Sequence, residues 1–289
     1  MSAAPNLSST TALEALLLKV DELAVLPHVV FRVLEISGSG DFPGQELERA
    51  VIVDPGFSGR ILTLANSAYY GLPRKVASIR EAIAFLGFKA IRQMAMTVGV
   101  FDLFVGKNDS DSLRRRSWWR HSIDTAVCCK LLAQPSTGLS PEDAYTAGLL
   151  HWLGKCVLDR HGEAKYNLVE QLLERGAEIR QAEQAVFGCD HVAVGAGVAS
   201  KWGFPENLVD AMDYLSVPCE GDPYSNLKAV VVISDLIAQY AVEGSAEDGT
   251  VQRTLPEWAL KALGKPVEAT DEIIESGIEA ISLAGSLQL

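Results

Sequence analysis

Apolar residues recur three and four positions apart along most of the chain, and this spacing constrains the fold more than any other feature. The pattern is clear near both ends, in Leu13, Leu16, Leu17 and Val20 and in Ile273, Ile274, Ile278 and Ile281. Side chains at this spacing lie on one face of an α-helix, whereas a half-buried strand needs strict alternation. Even the β-branched run at 230–233 belongs to a longer helical period. The sequence therefore predicts an all-α protein.

Breaks in this period divide the chain into an expected leader, body and tail. With 289 residues, 48% of them hydrophobic, there is enough apolar material for one large or two smaller cores. We predict a flexible leader at 1–12, because no basic segment precedes an apolar one as in a secretion signal. The body would have two helical lobes, 13–106 and 112–245. A polar linker and C-terminal helices at 246–289 would pack back on it.

Charge and cysteine usage limit which partners the protein can bind and which compartment it occupies. The net charge of −12 argues against a general nucleic-acid surface, which requires clustered Lys and Arg. No uninterrupted apolar run approaches the roughly 18 residues that a membrane span needs. The five cysteines are odd in number and lie mostly in apolar helical stretches, which indicates a reducing compartment. We expect a cytoplasmic protein that binds neither membranes nor nucleic acids.

One local exception is the basic run Arg114, Arg115 and Arg116, with Arg120 four residues further on. One interpretation is a solvated helix start that neighbouring acidic residues balance. The other interpretation is a docking site for an acidic partner. Both remain open from the sequence.

His151 is the first polar residue that needs an explanation, because it interrupts an apolar helical run. Ser140 can cap that helix, Pro141 suits its first position and Asp143 supplies an acid in its first turn. The period continues to Leu158, so we expect His151 to lie three turns inside one buried helix.

The segment around His151 is similar to a known motif. It reads G-L-L-H-W-L-G-K from Gly148 to Lys155 and resembles the His-Asp motif of the HD phosphohydrolase superfamily. In that superfamily the residue after the histidine is an aspartate that binds a divalent metal. Here it is Trp152, whose indole offers one N–H donor and no lone pair for a cation.

A second resemblance covers the N-terminal half. The phrases are D-P-G-F-S-G-R-I-L-T-L-A-N-S-A-Y-Y-G (Asp54 to Gly71) and S-I-R-E-A-I-A-F-L-G-F-K-A-I-R (Ser78 to Arg92). They are similar to the signature of HDOD domains, the HD-related output domains of bacterial signalling proteins. The resemblance extends from about Leu23 to Tyr240. It implies a two-lobed, all-α HDOD domain with an HD-like helical core in its second lobe.

Carried over residue by residue, the resemblance implies a degenerate site. The vestigial metal positions are His121, His151 and Asp235, with the fourth ligand missing at Trp152. Three further residues, Lys155, His191 and Asp124, would line the vestigial pocket, with Asp124 orienting the imidazole of His121. We expect no catalytic residue, no bound metal and no cofactor.

The resemblance implies a non-catalytic regulatory module of a bacterium, with other signalling proteins as partners. A small ligand in the vestigial pocket is a further expectation. One alternative is a metal-dependent phosphodiesterase or nucleotide phosphohydrolase with an altered metal site. A second is a nucleic-acid-linked regulator that uses the face from Arg114 to Arg120.

Overall fold

The computed structural model describes residues 12–19, 30, 32, 44–105, 112–161, 166–243 and 253–287. All regular structure in these ranges is helical, so the all-α prediction is confirmed. Residues 12–19 form a short helical segment. The numbered helices that follow it are α1 (Gly44–Ile52), α2 (Pro55–Ala65), α3 (Ile79–Val105), α4 (Ser112–Leu132), α5 (Pro141–Leu150), α6 (Leu153–His161), α7 (Tyr166–Glu174), α8 (Ile179–Phe187), α9 (His191–Lys201), α10 (Glu206–Ala211), α11 (Ser225–Glu243), α12 (Glu257–Ala262) and α13 (Thr270–Leu283). Single 3₁₀ turns occupy Pro135–Thr137, Val267–Ala269 and Ala284–Ser286.

Side-chain caps fix where several of these helices begin. Asp54 accepts hydrogen bonds from the backbone N–H groups of Gly56 and Phe57 at the start of α2. At the start of α5, Ser140 Oγ accepts from the backbone N–H of Asp143. Each cap satisfies a donor that the first helical turn would leave unpaired.

The helix predicted to run through His151 is instead broken there. Helix α5 ends at Leu150, His151 and Trp152 form a turn, and α6 begins at Leu153. The imidazole Nδ1 of His151 lies 2.6 Å from the Gly148 carbonyl oxygen. That carbonyl is the acceptor that a continuing helix would use for the Trp152 N–H, so the side chain competes with the helix at this point.

In the N-terminal lobe, α1 and α2 pack against the long helix α3. Helix α3 kinks at Gly87, whose φ of 79° and ψ of 167° are not helical. Among the described residues, α3 is the one helix long and apolar enough to span a membrane, and half of its most apolar window is buried in the fold. Its buried side chains include Ile91 and Met94, as expected for the core helix of a packed domain.

The second lobe is organised around α4, which packs against α5 and α11. The C-terminal helices α12 and α13 cover α11, and α13 also touches α4. Where α13 meets α11, a Cβ added to Gly277 would lie 2.7 Å from Ile237 Cγ2, so a larger residue there would force the Ile237 side chain to shift. The helices α12 and α13 thus lie against the second lobe.

Polar side chains join the two lobes. Thr97 of α3 bonds Tyr145 of α5 at 2.9 Å, and Lys130 of α4 donates to Gln93 Oε1 of α3 at 2.6 Å. The predicted leader (apart from its last residue), the stretch between the lobes at 106–111 and the linker at 246–250 lie outside the described residues. The proposed domain boundaries remain predictions.

Candidate functional site

Three side chains that are distant in sequence converge in the second lobe. His121 comes from α4, His151 from the turn after α5, and Asp235 from the middle of α11. Their ligand-type atoms lie within 4.8 Å of one another, and all three residues are buried. The structure thus brings together the three vestigial metal positions that the sequence resemblance implied.

Hydrogen bonds within this cluster assign the imidazole protons. A carbonyl oxygen only accepts, so His151 Nδ1 carries the hydrogen that it donates to Gly148. The Nε2 of His151 lies 3.3 Å from Asp235 Oδ1, and the Nε2 of His121 donates to the same oxygen at 2.7 Å. Gln239 donates to the other oxygen, Oδ2, at 3.0 Å. The buried carboxylate is therefore satisfied by protein donors alone.

The same contacts set the charge states. Burial raises the pKa of Asp235, but the hydrogen bonds and charges of His121 and His151 outweigh it and hold that pKa well below its usual range. Burial lowers the pKa of His121 to about 4, although Asp235 acts in the opposite direction. At neutral pH the cluster pairs an ionised Asp235 with an uncharged His121.

Trp152 lies flat against this cluster. Its ring stacks on His121 with centroids 3.8 Å apart and planes 16° from parallel. Its Nε1 donates to the hydroxyl of Tyr214 at 3.2 Å. Lys155 Nζ lies 3.3 Å from the Trp152 ring centroid. Because the imidazole covers one face of the indole, the ammonium lies on the other, and Trp152 is held between them.

The residues present do not fit the divalent ion of the HD superfamily. Three donors converge, but the fourth position carries an indole without a lone pair. A cation would also meet the ammonium of Lys155, whose charge already lowers the pKa of His121. Burial lowers the pKa of Lys155 itself to about 8, against the opposing charges of Asp235 and Glu183.

Asp124 does not orient His121 as expected. Its Oδ2 accepts from Arg120 Nε at 3.0 Å instead, and the hydroxyl of Thr125 lies 3.3 Å from His121 Nε2. Thr125 is four residues after His121 and Asp124 only three, and both spacings place side chains on neighbouring parts of a helix surface. The spacing alone could not decide between them.

The basic run of α4 does not form the continuous docking face that was one interpretation. Arg115 is buried and pairs with Asp159 Oδ2 at 2.5 Å, while Arg114 Nη2 lies 3.3 Å from Asp159 Oδ1. Arg120 pairs with Asp124. Arg116 is exposed. The simple interpretation of a solvated helix start is also wrong for Arg115, because an acid from α6 neutralises it inside the protein.

His191 begins α9 and introduces a partner that the sequence did not reveal. Its Nδ1 donates to Glu183 Oε2 of α8 at 2.6 Å, and Tyr166 of α7 donates to Glu183 Oε1 at 2.8 Å. Glu183 lies on the apolar face of α8, three or four residues from Ile179, Val186 and Phe187, and this spacing was the signal that could have marked it as buried. Tyr214 and Gln239 were also missed, because their contacts with Trp152 and Asp235 join separate elements or depend on how α11 is oriented.

Comparison with known proteins agrees with this architecture. The family model of the HDOD domain matches residues 23–218.

The chain belongs to the HDOD family.

The HDOD match includes His121, His151, Lys155 and His191, whereas Asp235 lies beyond it. A curated relative, an uncharacterized protein of Treponema pallidum (strain Nichols), is 23% identical over 280 residues, which are 94% of this chain and 53% of that protein. The chain thus spans about half the length of this relative.

Solved structures share the fold. An HDOD domain protein with unknown function from Geobacter sulfurreducens is 25% identical, with a TM-score of 0.77 over 98% of this chain and 99% of that chain. A proposed phosphohydrolase from Shewanella amazonensis SB2B is 24% identical, with a TM-score of 0.70 over 95% and 98% of the two chains. A proposed signal transduction protein from Marinobacter aquaeolei VT8 is 20% identical, with a TM-score of 0.72 over 99% of this chain and 67% of that chain.

Proposed function

We propose that this HDOD protein is a non-catalytic regulatory module of a cytoplasmic bacterial signalling system. One observation carries the proposal. Trp152 replaces the carboxylate that follows the histidine in the HD motif, and it lies between His121 and the ammonium of Lys155. The position that would complete the ligand set of a catalytic ion is thereby used for packing.

The hydrogen bonds of the cluster support the same proposal. Asp235 accepts hydrogen bonds from His121 and from Gln239, so both carboxylate oxygens have protein donors without an ion. A structural role for the histidines accounts for each of these contacts. Signalling proteins are the expected partners, in line with the name of the Marinobacter neighbour.

The convergence of His121, His151 and Asp235 favours one alternative, a metal-dependent phosphohydrolase. Catalytic zinc sites operate with three protein ligands and a water. The name of the Shewanella neighbour points to the same activity for that protein. The nucleic-acid alternative has less support, because Arg114 and Arg115 are engaged with Asp159.

A turnover assay separates regulator from hydrolase. Bis(4-nitrophenyl) phosphate is a general phosphodiester probe and would be tested with Mn²⁺, Fe²⁺ and Mg²⁺. We expect no release of nitrophenol above the buffer rate, and the same result for His151→Ala. Turnover that needs the metal and disappears in His151→Ala would contradict the proposal and support the hydrolase.

A further inference from the structure

The short helix at residues 12–19 lies on α9 of the second lobe. Its residues Leu13, Leu16 and Leu17 are half-buried and pack against the core, whereas Leu18 is 69% exposed. Spacings of three and four residues place the three half-buried leucines on one face of a helix. The short helix is therefore amphipathic, and its apolar face joins it to the second lobe.

Two glycines make room for this helix. A Cβ added to Gly197 would lie 2.8 Å from Leu17 Cδ1, and its nearest neighbours would all be atoms of the Leu17 side chain. A Cβ added to Gly188, just before α9, would lie 3.0 Å from the Cβ of Ala12. Gly188, Gly197 and Lys201 thus mark a shallow surface, the α9 groove, that the short helix fills.

Lys201 binds the short helix through its backbone. The Lys201 Nζ donates to the carbonyl oxygen of Leu17 at 2.9 Å. With Ala12 at Gly188 and Leu17 at Gly197, the short helix runs in the same direction as α9. A backbone carbonyl accepts this hydrogen bond whatever its side chain is, so any helix laid in this direction could use it.

The short helix is held less firmly than the lobe beneath it. Its three leucines are half-buried, whereas Val194 and Val198 of α9 are fully buried. A helix of this length gains most of its stability from packing, so it forms because the groove holds it. Segments with few buried contacts open at a lower free-energy cost than the whole domain. The α9 groove can therefore open without unfolding of the second lobe.

We propose that the α9 groove is a docking site for an amphipathic helix of a partner protein, and that residues 12–19 occupy it until the partner displaces them. The partner helix would carry apolar residues at the spacing of Leu13, Leu16 and Leu17 and present a backbone carbonyl to Lys201. The chain's own helix, seated in the groove, argues for this occupant. The groove lies within the HDOD match at 23–218, whereas the helix that fills it precedes the match.

This inference rests on the proposed function, because it names the surface through which a regulatory module would bind its partner. Grooves that recognise an amphipathic helix commonly bind apolar anchors three and four residues apart. A segment of the same chain that occupies the groove lowers the apparent affinity of the partner. The short helix would thus set how tightly a partner must bind before it docks.

A fluorescent peptide of residues 8–22 represents the partner helix, and its anisotropy measures binding to the full chain. Leu17→Asp places a charge on the apolar face and should release the chain's own helix. We expect this variant to bind one peptide per chain. The natural protein should bind the peptide at least about tenfold more weakly, because its own helix competes. Leu18→Asp is the matched control, since Leu18 is exposed on the same helix, and it should behave like the natural protein.

Gly197→Leu, added to Leu17→Asp, locates the binding site. The new side chain takes the space that Leu17 fills, and α9 should tolerate it because leucine favours a helix more than glycine does. The peptide should then bind at least about tenfold more weakly than to Leu17→Asp alone. Circular dichroism checks that both variants keep the helical content of the natural protein.

Deuterium exchange of the natural protein needs no variant to fold. The added peptide would carry heavy isotopes, so that its fragments are told apart from those of the protein. Excess peptide should make the backbone amides of the chain's own residues 13–19 exchange at least about tenfold faster, because a displaced short helix unfolds.

Absence of peptide binding by Leu17→Asp, equal binding by the natural protein, or binding that survives Gly197→Leu would overturn the proposal. Exchange that the peptide leaves unchanged would also overturn it. A natural dimer that Leu17→Asp converts to a monomer would overturn it in favour of a helix exchanged between two copies. These measurements involve no metal and no phosphodiester. Their failure would refute this inference alone, whereas metal-dependent turnover would refute the proposed function and leave the peptide result unchanged.

Discussion

Replacing Trp152 by aspartate restores the ligand type that the HD motif lacks. The change removes the stack on His121, the contact with Lys155 and the hydrogen bond to Tyr214. Truncating a buried aromatic residue to alanine costs about 3–5 kcal/mol. Trp152 is only half-buried, so we expect a loss near the lower end, about 3 kcal/mol, in the free energy of unfolding without metal.

The new carboxylate should make stability depend on divalent ions. An ion that binds only the folded state stabilises it by about 2.7 kcal/mol at a concentration one hundred times its Kd. Added Mn²⁺, Fe²⁺ or Zn²⁺ should therefore recover most of the loss. We expect turnover to remain absent or feeble, because the segment 213–216 supplies no histidine for a second ion.

Urea denaturation with and without each ion measures this recovery. Trp152→Asn is the matched control, since it leaves the same cavity without a carboxylate charge. Equal stabilisation of the aspartate and asparagine variants would show that the ions act elsewhere. Lack of stabilisation in both variants would refute the view that position 152 adjoins a vestigial metal site.

Three further predictions follow from the packing and charges of the second lobe. Gly154→Ala should lower the free energy of unfolding by about 3 kcal/mol, the upper end for overpacking, because the added methyl would lie 1.8 Å from the backbone oxygen of His191. Wild-type stability in thermal melts would contradict this. Arg115→Met should lower the free energy of unfolding, measured by urea denaturation, by about 3–5 kcal/mol, because it leaves the buried charge of Asp159 poorly compensated. A change below about 1 kcal/mol would argue against the buried pair. Lowering the pH from about 6.5 to 4 should reduce the free energy of unfolding by up to about 1.4 kcal/mol per pH unit. In this range the unfolded chain binds a proton at His121, whereas the folded chain does not, because folding lowers the pKa of His121 to about 4. His121→Asn should show a smaller dependence of stability on pH.

The sequence predicted most of the helical architecture because its signals are local. Apolar periodicity and the caps at Asp54 and Ser140 act within a few residues of where they occur. The break at His151 could not be predicted in this way. It depends on an imidazole that competes for the carbonyl of Gly148, and such competition depends on where the ring is held by Asp235.

The residues of the candidate site also differ in how far the sequence could predict them. His121, His151 and Asp235 were identified through a family resemblance, and the structure places them together. The partners Glu183 and Tyr166 depend on contacts between separate helices, which no local pattern encodes. Arg115 shows the opposite error, because a charge that looks solvated in sequence is buried against an acid 44 residues away.

We propose that packing by Trp152 has replaced the ion in this site, and the metal content of the protein tests this most directly. The natural protein would be purified without chelator or affinity metal and analysed for manganese, iron and zinc per chain. We predict less than stoichiometric metal that does not change in His151→Ala. One tightly bound ion per chain, lost in His151→Ala, would contradict this account.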